Sequence, residues 1–93
     1  MRTFKFGSAG YLKRANEKAE KLGNFSVKYS STGKKKLDVF NKKGDKIADI
    51  GHRDYSDYLQ HGSESRRESY HKRHAKTAKV KFSNSYFSKN ILW

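Results

Sequence analysis

Ninety-three residues with 33% hydrophobic side chains and a mean hydropathy of -1.10 allow one small core and not two, so 13 aromatic side chains, each able to bury roughly 150–250 Å², must carry much of it. The lack of cysteine excludes a disulfide framework and thiolate metal sites, and the longest apolar run, Ile91-Leu92-Trp93, is far short of the ~20 residues that span a membrane. The net charge of +13 comes from 16 Lys and 6 Arg and sits at the two ends, +8 over residues 1–36, -2 over 37–64 and +7 over 65–93.

In chain order, Phe4 and Phe6 alternate with polar neighbours as a short half-buried strand does, until Gly7. Ser8 is the expected N-cap of a helix over 9–22, with Tyr11, Leu12, Ala15, Ala19 and Leu22 at helical spacing and Gly23 as its stop. Phe25, Val27 and Tyr29 then alternate as one face of a strand. A turn at Thr32-Gly33-Lys34 leads to strands at Leu37–Phe40 and Lys46–Ile50, joined through Asn41–Asp45 with Gly44 in a left-handed position. Residues 24–50 are thus an antiparallel meander, and Lys34-Lys35-Lys36 is expected to be a solvated hairpin tip.

After Gly51 the period turns helical. A short helix carrying Tyr58 and Leu59, capped by Asp54 or Ser56, ends at Gly62. Ser65-Arg66-Arg67-Glu68 has the form of a capping box opening a second helix to about His74. That helix is polar nearly all round, so Tyr70 is expected to anchor it. Residues 75–83 are expected to be an extended connector. Tyr86, Phe87, Ile91, Leu92 and Trp93 make the chain's last residues too apolar for a loose tail, and they must dock in the protein's own core or in a partner. The expected architecture is a single α+β domain over 1–93: an N-terminal helix, a three-stranded antiparallel sheet, and a basic helical segment over 51–93 with a docked aromatic C-terminus.

Four histidines, His52, His61, His71 and His74, invite a metal reading with Asp54 or Asp57 as oxygen ligand. None of the spacings is that of a metal motif, and no metal or cofactor is expected. His61 and His74 are better read as partly buried hydrogen-bonding residues that fix loop to helix. An acid–base or metal-dependent nuclease site from His52, His61, Asp54 and Asp57 is the lesser reading, because Asp57 is equally explained by a helix N-terminus. The chain is expected not to be an enzyme. The chemical signal that remains is polyanion contact by Arg53, Arg66, Arg67, Lys72, Arg73, Lys76, Lys79 and Lys81. These attract phosphates by counterion release, and the interleaved Tyr70, His71 and His74 are possible stacking partners for bases. Lysine dominance favours diffuse attraction over base-specific contacts. Tyr70 is more readily a core residue than a stacking platform.

From Gly51 onward the chain carries a pattern made of Gly51, of Tyr55, Asp57, Tyr58 and His61, of Arg66, Tyr70, Arg73 and His74, and of the terminal run Tyr86, Phe87, Ser88, Lys89, Ile91, Leu92 and Trp93. In these residues it resembles a family of small basic proteins of nucleocytoplasmic large DNA viruses and some tailed phages. It covers the last 43 residues. It departs at Ile50, where the family tends to Phe, and at Gly62-Ser63. What it implies is a virion component: a minor capsid or core protein, found in the particle and in host cytoplasm or nucleus, whose basic surface lies against genome or acidic capsid proteins. In this setting Tyr58, His61, Tyr70, His74, Tyr86, Phe87, Ile91, Leu92 and Trp93 are docking or structural residues. The alternative is a sequence-nonspecific DNA- or RNA-binding protein for genome handling. No small-molecule substrate is expected.

Overall fold

The computed structural model describes residues 3–31, 33–76, 79 and 83–93. Its first helix, α1 (Ala9–Gly23), starts where Ser8 accepts a hydrogen bond from the Tyr11 backbone N at 3.2 Å. Tyr11, Ala15 and Ala19 recur every fourth residue and form its buried stripe. The expected stop moves by one residue. Asn24, not Gly23, takes the left-handed cap conformation at φ 64, and its N–H closes on the Glu20 carbonyl. Asparagine tolerates that region because its short polar side chain bonds locally.

Strands β1 (Ser26–Tyr29), β2 (Lys35–Phe40) and β3 (Lys46–His52) form one antiparallel sheet in the order β1-β2-β3. Val27 pairs with Val39, and Leu37 pairs with both Tyr29 and Ile50. Gly44 has φ +90 in the β2–β3 turn, as expected. The centre strand departs from simple alternation. Its inner four residues, Lys36, Leu37, Asp38 and Val39, are all buried, and since neighbours in a strand point to opposite faces, both faces of β2 are covered. The solvated tip expected at Lys34-Lys35-Lys36 is therefore wrong for Lys36, which is 1% exposed.

Three helices follow among the described residues. The first, α2 (Tyr58–His61), is capped by Asp57 in a capping box with Gln60, rather than by Asp54 or Ser56, and ends at left-handed Gly62. Ser63, not Ser65, caps α3 (Glu64–Arg73); its side chain accepts from Arg66 N, which places the helix start two residues earlier than the capping-box pattern suggests. The expected extended connector falls largely on residues outside those described, as do Thr32 of the first turn and Lys81. Past it, the aromatic segment is itself a helix, α4 (Asn84–Ile91), capped by Ser83. The expected strand at Phe4 and Phe6 is not formed. Phe4 N donates to the Leu59 carbonyl at 2.7 Å, outside any ladder, and both rings pack against the core.

The core lies among α1, the sheet and α4. Phe87, Ile91 and Leu92 are fully buried there with Tyr11, Ala15, Leu37, Val39 and Leu59. Each of these large side chains is worth about 1.5–3 kcal/mol in area removed from water. The aromatic segment thus docks in the protein's own core. Gly51 makes the close approach possible: at φ +77, any Cβ there would lie 3.0 Å from Leu92 Cδ1 and 3.1 Å from the Lys36 stem.

Candidate functional site

Two constellations stand apart from the apolar core. The first is a buried polar cluster beneath the N-terminal segment. Lys36 Nζ donates to Asp57 Oδ2 at 3.0 Å and to Gln60 Oε1, and the Tyr11 hydroxyl donates to the same Asp57 oxygen at 2.5 Å. Tyr11, Lys36 and Asp57 are 0%, 1% and 2% exposed. Burial first, and then the Asp57 carboxylate, raise the Tyr11 phenol far above its usual range, so it stays a hydrogen-bond donor. Asp57 also accepts from the backbone N of Gln60 as the cap of α2. The Phe6 ring lies 5.6 Å from the Lys36 ammonium. One carboxylate thereby ties α1, β2 and α2 together.

The second is an open cleft of about 720 Å³ between β3 with the loop that follows it, α3 and α4. An aromatic ladder stands at one wall. Trp93 stacks on Tyr70 with ring centroids 4.3 Å apart and planes 4° from parallel, and His74 stacks on Tyr70 at 4.2 Å. Tyr70 is buried, and its hydroxyl donates to Ser88 Oγ at 2.8 Å. With both faces covered, Tyr70 is a core residue and offers no surface to a base.

The cationic side chains divide into two groups. Arg53 donates to the carbonyls of Lys35 and Ser30, each at 2.8 Å, and lies over the Phe6 ring. Arg67 donates from Nε to the Trp93 main-chain oxygen at 2.7 Å and lies over the Tyr58 ring. Those two guanidinium groups hold the fold. Arg66 and Arg73 line the cleft, are exposed, and have no side-chain hydrogen bond or ion pair among the described residues. Seven residues apart on α3, they share a face about 10 Å apart along the axis. Lys35 also lines the cleft, 3.8 Å from Asp49. Lys72, Lys76 and Lys79 are exposed and lie outside the cleft lining.

The histidines take separate places. His61, at the end of α2, accepts at Nδ1 from Ser63 N at 2.9 Å and has its ring 5.2 Å from that of Trp93. His71 Nε2 lies 3.3 Å from the Trp93 main-chain oxygen. Burial is the first cause that lowers the pKa of both; Arg66 adds to it at His61 and Arg67 at His71. His52 sits 3.7 Å from Asp54, while Asp57 is committed to Lys36 and Tyr11. The set His52, His61, Asp54 and Asp57 is thus not one site. Among the described residues no three His, Cys, Asp or Glu are grouped to hold a metal ion. Burial first, and then the charges of Arg14 and Arg67, push the Lys18 amine down to about 8.

Sequence reasoning gave no role to Lys36, Gln60 or Tyr11 in a polar cluster, nor to Tyr55. Lys36 looked like one lysine of three. Only its place inside a strand covered on both faces distinguishes it. Tyr55 is 71% exposed at the cleft, and nothing in its local pattern separates it from the buried Tyr58.

These features define a small α+β domain with a cation-lined cleft and a tail helix closing its core. A family model described as "Family of unknown function (DUF5754)" matches residues 25–74, more than half of the chain, and the protein belongs to that family. The matched span runs from the start of the sheet through α3 and includes Lys36, Asp57, Arg66 and Arg73, but neither Tyr11 nor Trp93. No curated protein and no solved structure matches the chain. No helix among the described residues is long and apolar enough to cross a membrane.

Proposed function

We propose that this protein is a non-enzymatic polyanion-binding module that holds the phosphate backbone of nucleic acid without reading its sequence. The observation that supports this best is the division among the arginines. Arg53 and Arg67 are consumed by internal carbonyls, whereas Arg66 and Arg73 face the cleft with no side-chain partner among the described residues. A guanidinium left unpaired on a folded helix has little ordering cost to meet when a phosphate arrives. The +7 charge of residues 65–93 supplies the longer-range attraction. The resemblance of residues 51–93 to proteins of large DNA viruses adds the setting, a minor capsid or core component of the virion lying against the genome or acidic capsid proteins.

Salt titration of binding to a duplex tests the reading. With about five phosphates neutralised, the log–log slope should lie near -4 to -5, with little sequence preference. The double substitution R66Q/R73Q should flatten that slope by about 2 and leave the melting temperature unchanged. The pair R53Q/R67Q should instead lower the melting temperature. Absence of binding to both duplex and single strand at low salt would refute the proposal.

A further inference from the structure

The cleft carries one aromatic ring that the fold does not use. Tyr55 is 71% exposed, the most open large apolar side chain among the described residues. Its position is nevertheless fixed: its backbone N donates to the His52 carbonyl at 3.1 Å, and its ring leans on the His52 imidazole at 5.2 Å and 59°. The Asp54 backbone N donates to His52 Nδ1 at 3.2 Å and holds that imidazole in turn. Arg66 and Arg73 line the same cleft. Exposing a tyrosine ring on a tight turn gains the fold nothing, since the ring buries little area there.

Resting on the polyanion reading above, the geometry points to unpaired bases as what the cleft takes: single-stranded nucleic acid, with Tyr55 as the stacking platform and Arg66 and Arg73 on the backbone. A ring with an open face beside cations is the arrangement that binds single strands without sequence preference, because every base has a π-face. A duplex keeps its bases stacked on each other and has no use for Tyr55. The cleft volume of about 720 Å³ falls within the range of small-ligand sites, about 300–1,000 Å³, and is open enough for a base to enter while its backbone stays outside. Of the two carboxylates on the lining, Asp49 is 3.8 Å from both Lys35 and Lys46, which offset it, and Asp54 is exposed, so that solvent and salt screen its charge.

Fluorescence anisotropy with a labelled mixed-sequence single strand and the corresponding duplex of equal length tests the inference, using the full chain and the variants Tyr55→Ala and Tyr55→Phe. The single strand should bind more tightly than the duplex. Tyr55→Ala should weaken single-strand binding by roughly 5- to 150-fold, the span of one base–aromatic stack. Its duplex affinity and melting temperature should stay unchanged, and Tyr55→Phe should keep the preference. Equal affinity for both forms, or a preference that survives Tyr55→Ala, overturns the inference while leaving backbone binding intact. Failure to bind either form overturns both readings.

Discussion

Replacing Lys36 by Met removes one half of a buried ion pair while keeping the length of the stem. In the variant, Asp57 remains buried with the Tyr11 hydroxyl and its own helix-cap bonds, but its charge has lost the Lys36 ammonium that now lies 3.0 Å away. Breaking such a pair commonly costs about 3–5 kcal/mol, because the surviving charge stays out of water without compensation. A domain of this length has a total stability of roughly 5–14 kcal/mol, so this is a large share of it. At about 5 °C per kcal/mol for a chain of this size, the melting temperature should fall by roughly 15–25 °C. Thermal melts followed by circular dichroism measure it. The companion D57N keeps a good N-cap residue and removes only the charge. The double variant K36M/D57N should lose less than the two single losses added together, since neither unpaired charge remains. A K36M protein that melts within about 3 °C of the parent, or single losses that add to within about 0.5 kcal/mol, would refute the reasoning.

Acidification should loosen the tail. The pKa values of His61 and His71 are lowered in the folded protein, by burial first and then by the cations around them: Arg66 and Lys36 for His61, and Arg67, Lys89 and Lys18 for His71. Asp57 and the Trp93 oxygen oppose the shift. The unfolded chain therefore takes up these protons first, so the stability present above pH ~6.5 should decline as the pH falls through 6.5 toward the lowered folded values. Melting temperatures from pH 8 to 5 should show this decline, and H61Q/H71Q should flatten it; an unchanged slope in that variant would count against the assignment. Trp93→Ala removes the stack on Tyr70 and the contact with His61. Because Trp93 is only half-buried, the loss should be about 2–3 kcal/mol, below the 3–5 typical of a fully buried aromatic, and a calorimetric shift of under 5 °C would contradict that.

Much of the fold was legible because its elements announce themselves locally. The stripe of Tyr11, Ala15 and Ala19, the alternation through Val27 and the two later strands follow from period alone. Helix caps were less legible. Ser63 and Ser65 both precede polar residues that suit a first turn, and only the position of α2 decides between them. Helix α4 went unrecognised although Phe87 and Ile91 stand four apart behind Ser83, because Tyr86, Leu92 and Trp93 blur the stripe on a segment so short. The polar cluster was invisible for a deeper reason. Lys36, Asp57 and Tyr11 are 21 and 46 residues apart in their bonds, and a lysine inside a basic run carries no mark of burial. The same holds for the arginines, which are alike in sequence and differ only in which carbonyls lie within their reach.

Helix α4 also has a consequence for the order in which this protein is made. It packs against α1 and β3, yet it is synthesised after both, and until it arrives the apolar surface of α1 and β3 that it covers stays open, although α1 and β1 already pack on each other. Contacts of such long sequence separation form late and slow folding, and an uncovered sheet in the meantime is prone to self-association. The net charge of +13 keeps these half-made chains apart through mutual repulsion. A chain rendered more neutral would then fail first during synthesis, before its finished fold had lost anything.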